Sequence, residues 1–448
     1  PEIVSPRSGS KTYNLKQLNL QNRMKESEMH DVVVIGAGPS GATTAALLAD
    51  QGHDVVVIEK EKFPRYHVGE SMMPFCWYTL NRLGLAEEMD EIGFQQKHSV
   101  QFVTPEGSIS KPFYFFEHDE HPSAVTWQVE RSVFDNMIAD KAKENGAEIR
   151  EQRKVVKLLK DDNGKVIGVE AKNADGELEH VFGKMVVDAS GRDAVVQSKE
   201  KWRNRDPQLN KIAIWTYFEG AMRDPGLDAG STTVAYIPEK GWFWYIPMRD
   251  NKVSVGVVAD HDYLYRDSKD PAEIFAREIA ENEWMKTHLE PGTQVGDYSV
   301  TGEYSYRSNF CAGDGVLLVG DAFAFLDPVF SSGLFLALKS GELAADAIHE
   351  ALANNDFSAE QFQDYGKDLC MGIERMRKIV YAFYEPNFSF AKLIKRNPEL
   401  RPTLTDLLVG DLFVDKFDEL FAAVEEICAL PAELDYGFRV ADNKALAA

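Results

Sequence analysis

Three stretches carry residue types at spacings that chemistry could use. Residues 30–61 read HDVVVIGAGPSGATTAALLADQGHDVVVIEKE. An apolar β-branched run, Val32 to Ile35, meets Gly36-x-Gly38-x-x-Gly41; helix formers follow to Asp50, Gly52 stops them, and a second run, Val55 to Ile58, ends at Glu59. Strand, glycine turn, helix and second strand are in the order that places a pyrophosphate against backbone amides at a helix N-terminus, and an acid eighteen residues past Gly41 suits a ribose hydroxyl. The pattern does not separate FAD from NAD, and its bland alternative is a tight turn in a nucleotide-free domain. The second stretch, GWFWYIP at 241–247, alternates as a strand, with Trp242, Trp244 and Ile246 on one face and Phe243 and Tyr245 on the other. Two indoles on one face make either ordinary core or a wall. The third, FLDPVFSSGLFLAL, puts a Ser-Gly turn before an apolar helix, whose first amides lack intrahelical partners and form a natural anion site or a plain serine-capped start.

The chain around these stretches is 448 residues long, 44% hydrophobic and carries a formal charge of −23. It can bury a large core, and its charge argues against nucleic acid and against anionic membrane surfaces as partners. Cys76, Cys311, Cys370 and Cys428 are scattered and form no CxxC, so neither a zinc site nor a disulfide framework is expected, and the chain reads as cytoplasmic. The most apolar stretch, 315–341, contains Asp321, Asp327 and Pro328, which makes a membrane span improbable and a buried functional loop the better reading. Residues 1–28 are polar and aperiodic, with Met24 and Met29 as candidate starts, and are expected to be a disordered extension.

Beyond the glycine unit, the strand Val316 to Val319 followed by Gly320-Asp321-Ala322, the segment MVVDASGR ending at Arg192, and FPRYHVGES from Phe63 to Ser71 together resemble the FAD-dependent group of aromatic hydroxylases, geranylgeranyl reductases and flavin-dependent halogenases. That resemblance selects FAD. It implies contacts from Gly36, Gly38, Pro39, Ser40, Gly41, Glu59 and Lys60; from Arg65, His67, Val68, Gly69 and Ser71; from Arg131; from Gly320 and Asp321, which would hold the ribityl–pyrophosphate arm; and from Pro328, Gly333 and Leu334.

Within that group the chain resembles the halogenases of phenol and pyrrole type from about residue 30 to 430. GWFWYIP matches their Trp-x-Trp-x-Ile-Pro motif, and Phe325, Pro328, Ser331 and Gly333 match Phe-x-x-Pro-x-x-Ser-x-Gly. The resemblance implies that Trp242, Trp244, Ile246 and Pro247 keep organic substrate away from the flavin, which suppresses monooxygenation. It also implies that the amides of Ser332 and Gly333 hold chloride or bromide. Reduced FAD and O₂ would then convert halide to hypohalous acid, which travels through a tunnel to a lysine. Lys97 is the lysine between the Gly93-Phe94 turn and the strand 100–104; the sequence after it, His98-Ser99-Val100, departs from the small-residue run usual in the family. Phe330 stands where tryptophan-type halogenases have a glutamate, and Phe accepts neither a proton nor a hydrogen bond. The substrate is therefore expected to be an activated ring, a phenol first and a pyrrole second, free or tethered to a carrier protein, in antibiotic-type biosynthesis. One dinucleotide fingerprint and no second nicotinamide unit imply a separate flavin reductase. The rivals are a geranylgeranyl reductase-like ene reductase, an aromatic monooxygenase and a flavin-binding protein without catalysis.

The expected architecture is α/β: a Rossmann-like FAD domain assembled from 29–80, 125–200 and 305–345, a mixed substrate-side sheet from 81–124 and 201–304, and a helical region over 346–448, including an amphipathic helix from Leu412 to Ile427.

Overall fold

The computed structural model describes residues 29–118, 120–302 and 305–441. The extension expected over residues 1–28 lies outside them. The first strand, Met29–Ile35, runs parallel to Val55–Ile58 on one side and to Leu178–Asp188 on the other. Val316–Leu318 and Glu148–Arg150 extend this sheet in parallel, and the strands Ala312–Gly313, Arg153–Lys160 and Val166–Asn173 join it as antiparallel additions, giving eight strands. Val32, Val33 and Val34 are wholly buried, as a parallel strand covered on both faces requires.

The helix Pro39–Asp50 covers the sheet and crosses the long helix Ser332–Asn354 at close range. The crossing needs glycine: a Cβ on Gly341 would lie 2.5 Å from the Ser40 carbonyl oxygen. Thr44 Oγ1 donates to the carbonyls of both Ser40 (2.9 Å) and Gly341 (3.2 Å), locking the two helices together.

A second sheet of seven strands runs in the order 293–301, 211–219, 252–260, 242–247, 232–236, 99–103, 113–114. It is antiparallel except where Thr232–Tyr236 pairs with Ser99–Val103. The alternation read from GWFWYIP is present. Phe243 and Tyr245 enter the core beneath the helices Pro271–Ala280 and Glu283–Leu289, while Trp242, Trp244 and Ile246 face the other way. Helix Gln363–Tyr384 closes that second side through Val380, Tyr381 and Phe383.

The C-terminal region differs from expectation in one element. The helix predicted over Leu412 to Ile427 is confined to Asp418–Glu425. Arg375 Nη1 takes the Leu412 carbonyl (2.5 Å), Arg375 Nη2 pairs with Asp415 (2.9 Å), and the Phe413 ring lies where a Cβ on Gly372 would be. Those tertiary contacts hold 412–417 in a loop although the spacing of its apolar residues is helical. Two shorter helices, Phe390–Arg396 and Arg401–Val409, fill the interval before it. No helix among the described residues is long and apolar enough to cross a membrane, and none of their His, Cys, Asp and Glu side chains cluster as a metal site.

Candidate functional site

A cavity of about 740 Å³ opens where the parallel sheet, the two crossed helices and the tryptophan face of the second sheet meet. At one end the turn Gly36–Gly41 is built from backbone. Gly36 has φ +96° and packs so closely that a Cβ would stand 2.6 Å from the Ala189 carbonyl oxygen; one on Gly41 would stand 2.1 Å from the Gly36 oxygen. Glu59 is 3% exposed and ties the turn to the second strand, Oε2 accepting from the Ala37 amide (2.7 Å) and Oε1 from the Glu61 amide (2.8 Å). The first turns of both crossed helices line this cavity, bringing two positive dipole ends to one space.

The middle of the cavity is held by a paired cation cluster. Arg131 grips Asp135 through Nε (2.7 Å) and Nη2 (3.1 Å), and its Nη1 donates to the carbonyls of Val68 (2.9 Å) and Gly69 (3.2 Å). Arg65 shares the same aspartate at 3.1 Å. Burial, helped by the Arg131 charge, brings His67 down to about 4, so it is neutral near pH 7. Burial pushes the Asp321 carboxyl up to about 6 against the opposing pull of Arg192 and Arg131.

At the other end stands the aromatic wall. Trp242, Trp244 and Ile246 line the cavity, joined by Trp215 from the strand Lys211–Glu219. The Trp244 ring lies flat across Gly256 of the neighbouring strand, where a Cβ would come within 2.2 Å of it, and its Nε1 donates to Ser254 Oγ (3.1 Å). Trp242 Nε1 donates to Tyr384 OH (2.9 Å), which donates to Asp327 Oδ2 (2.7 Å), and Asp327 Oδ1 accepts from the Val329 amide (3.1 Å). The wall and the turn 327–333 are thus one hydrogen-bonded unit, with Asp327 pushed up to about 6 by its burial.

Lys97 ends the strand Gln95–Lys97, which pairs with Thr126–Gln128, one residue before the chain enters the seven-stranded sheet at Ser99. The expected position between a helix and a strand is itself a short strand. The side chain is 2% exposed, and no carboxylate among the described residues acts on it. Its Nζ donates to Ser71 Oγ (2.9 Å) and to the Met72 carbonyl (3.0 Å), and lies 5.7 Å from the Phe115 ring centroid. Burial brings its pKa down to about 7. Those two acceptors satisfy both N–H groups of a neutral amine and leave its lone pair free. Ser71 Oγ in turn meets Thr232 Oγ1 (2.9 Å), which also accepts from Gln128 Nε2 (2.8 Å).

Lys97 lines a second cavity of about 640 Å³, and Thr232, Val329 and Ser331 line both. This second space is bounded by phenylalanines, including Phe102, Phe113, Phe330, Phe383 and Phe390. The residue between the cavities, Ser331, has φ +56° and directly precedes the long helix.

Of the residues singled out from sequence, Gly36, Gly38, Pro39, Ser40, Glu59, Lys60, Arg65, His67, Val68, Gly69, Ser71, Arg131, Asp321, Pro328, Gly333 and Leu334 all border the larger cavity. Gly41 and Gly320 do not. They sit one layer beneath, Gly320 with its Cα hydrogens against Ser40 Oγ, and support the turns without facing the space. Pro247 is buried at the end of its strand and Ser332 is 1% exposed; neither side chain borders a cavity, because strand alternation and the helix start turn them into the core. Phe330 borders the smaller cavity, with Lys97, and not the larger. Sequence reading missed Asp135, Glu70, Trp215, Thr232 and Gly256, and named Asp327 only as marking a buried loop. Asp135 carried a signal, lying four residues after Arg131 on a helix. Glu70 is 2% exposed and accepts from Tyr217 OH (2.6 Å), a contact between distant segments.

The larger cavity fits a flavin dinucleotide on its own chemistry. Two glycines leave its surface open: a Cβ on Gly333 would meet nothing within 4 Å, and one on Gly38 only the Arg65 guanidinium at 3.4 Å. Two helix starts and an arginine pair face a place for phosphates, and a flat aromatic wall faces a place for a ring.

Comparison with known proteins agrees. The family model described as tryptophan halogenase matches residues 31–121 and 117–389. A 1H-pyrrole-2-carbonyl-(peptidyl-carrier protein) brominase of Pseudoalteromonas luteoviolacea is 35% identical over 401 residues, covering 87% of this chain and 94% of that protein. The corresponding chlorinase of Pseudomonas fluorescens is 30% identical over 424 residues, covering 88% and 94%. The solved structure of the flavin-dependent brominase Bmp2 superimposes with a TM-score of 0.81 at 33% identity, over 89% of this chain and 98% of that one.

Proposed function

From the premise that this chain belongs to the tryptophan halogenase family and is an FAD-dependent halogenase using reduced flavin, halide and O₂, we propose that Lys97 delivers the halogen and that the acceptor is a pyrrole acyl group borne by a carrier protein. The observation that carries the reading is the buried, carboxylate-free Lys97 amine, held by Ser71 and Met72 in a cavity of its own and separated from the larger one by Thr232, Val329 and Ser331. The flavin, when bound, supplies the oxidising equivalents for halide.

The remaining tasks fall to the chain. Segments 29–80, 125–200 and 305–345 together form the flavin-binding unit, with the Gly36–Gly41 turn and Arg131 at the phosphates. The amides of Ser332 and Gly333, at the positive end of a 23-residue helix, hold chloride or bromide. Trp242, Trp244 and Ile246 exclude an organic ring from the flavin side. Lys97 receives hypohalous acid at an amine whose two N–H groups are already engaged and presents the halogen to the acceptor ring. An amine brought by burial down to about 7 has both its ammonium and its neutral form within reach near neutral pH, which suits both proton donation and halogen transfer.

Phe330 stands in the Lys97 cavity between Phe383 (5.8 Å) and Phe390 (5.9 Å). An apolar site without a carboxylate favours an electron-rich ring that sheds its own proton. Of the two ring types the sequence allows, the names of the relatives support pyrrole. A separate reductase supplies reduced flavin. The test is to give the protein chemically reduced FAD, bromide or chloride, air, and in parallel pyrrole-2-carbonyl carrier protein, free pyrrole-2-carboxylate, a phenol and tryptophan, with products read by mass spectrometry. Halogenation of tryptophan or of the phenol ahead of both pyrroles rules the reading out.

A further inference from the structure

The Lys97 cavity has two unlike ends. The buried end holds Lys97, Thr232 and Val329, with the half-buried Ser331 beside them. The exposed lining lies elsewhere, at Thr104, Ser108, Ile109, Ser110 and Lys111 on one side and at Ser389, Ala391 and Arg401 on the other. This second group marks the mouth. Its charge is opposite to that of the molecule as a whole. In a chain with 72 acidic and 49 basic residues, no aspartate or glutamate among the described residues lines the cavity, and its two outer charges are both cations. Lys395 and Arg396 lie exposed on the adjoining helix Phe390–Arg396. Among the described residues, Lys395, Arg396 and Arg401 make no ion pair; Lys111 has one exposed partner, Glu117, at 3.0 Å. An exposed pair of that kind contributes little and yields to a competing anion at small cost.

A pyrrole needs no anion site, so the cations at the mouth call for a ligand that is apolar at its tip and anionic behind it. Resting on the carrier-tethered reading above, we propose that Lys111 and Arg401, with the hydroxyls of Ser108, Ser110 and Ser389, form a binding site for the phosphodiester that joins the substrate's pantetheine arm to its carrier protein. The arm then runs along the phenylalanine-lined channel and sets the ring at Lys97. Guanidinium and ammonium are the natural partners of a phosphodiester, the one forked and the other a point charge. The basic helix beside the mouth faces the carrier's own surface. Because the rest of the molecule is strongly negative, the mouth also steers an anionic arm to one entrance.

The test compares pyrrole-2-carbonyl thioesters of carrier protein, of 4′-phosphopantetheine, of coenzyme A and of pantetheine, which differ in whether and how a phosphate follows the arm. In the wild-type protein, kcat/KM for phosphopantetheine over pantetheine should be about tenfold, the size of one charge-assisted hydrogen bond, and should fall as salt is raised. In Lys111→Ala/Arg401→Ala that ratio should collapse toward one. Being a ratio within one variant, it is not moved by general damage to the fold. A ratio equal in wild type and variant overturns the phosphate site. Coenzyme A thioester turned over ahead of the carrier thioester overturns the carrier as the phosphate's source. Free pyrrole-2-carboxylate turned over as fast as every thioester overturns the tethered reading itself, an outcome distinct from the other two.

Discussion

The larger cavity is shaped by backbone and by charges tied down in pairs, whereas the smaller is shaped by phenylalanine side chains around one unpaired amine. In the first, Gly36, Gly41 and Gly341 are fixed by close approaches of main chain, and Asp135 holds both Arg131 and Arg65 in place, leaving the cluster cationic. In the second, two hydrogen bonds to neutral acceptors do not offset the cost of burying the Lys97 charge, and burial brings the group down to about 7. On the function proposed above, the difference keeps two incompatible steps apart. An oxidising centre needs a rigid, polar cradle and no organic ring; a transfer centre needs a dry, apolar pocket and a nucleophile. Trp242 and Trp244 line the larger cavity alone, and the border at Thr232, Val329 and Ser331 is common to both.

Substituting the amine breaks the comparison most completely. Lys97→Met should lower halogenation by about a thousandfold or more, within the range for loss of a proton-transferring group, while FAD binding followed by absorbance stays at the wild-type level. A variant that halogenates at near wild-type rate removes Lys97 from the mechanism. The same substitution carries a pH signature in stability. The folded-state pKa of Lys97 lies below that of the unfolded chain, so between about 7 and the ordinary lysine value the unfolded state binds more protons, and wild-type stability rises with pH across that window. Met has no such dependence. The thermal-stability advantage of Lys97→Met over wild type should therefore be largest at pH 7 and below, and shrink as pH rises to 9 and beyond; a pH-independent difference contradicts the depressed pKa.

The wall is sharpened by its smallest component. Gly256→Ala places a methyl 2.2 Å from the Trp244 ring, an overpacking that costs about 1–3 kcal/mol and lowers Tm by roughly 1 °C per kcal/mol for a chain of this size. The penalty should largely vanish in Gly256→Ala/Trp244→Ala relative to Trp244→Ala alone, measured by calorimetry. Ser71→Ala removes one of two acceptors on Lys97 Nζ. Halogenation should fall by about tenfold, the effect of one lost hydrogen bond to a charged group, and the pH–rate profile should shift; an unmoved profile reduces Ser71 to a packing residue. Smallest of all, Tyr384→Phe breaks the Trp242–Tyr384–Asp327 chain and should destabilise by about 1–2 kcal/mol, with turnover little changed.

What could be read from residues alone was local. The Gly36–Gly41 turn between two β-branched runs, the period-two alternation of Trp242, Trp244 and Ile246, and the helix start after Ser331 are each set by neighbours within a few positions, and the structure places them as strand, turn, wall and helix. The cavity-lining residues of the flavin loop were legible only because a family resemblance joined distant segments. Tertiary structure alone decided the rest. That Lys97 meets Ser71 and Met72, that Glu70 meets Tyr217, that Gly256 lies under Trp244, and that 412–417 stays a loop under Arg375 are contacts between segments with no spacing in common. The pKa of Lys97 is the clearest case: an isolated lysine reads as a solvated charge, and only its complete burial without a carboxylate, which no local pattern encodes, turns it into an amine.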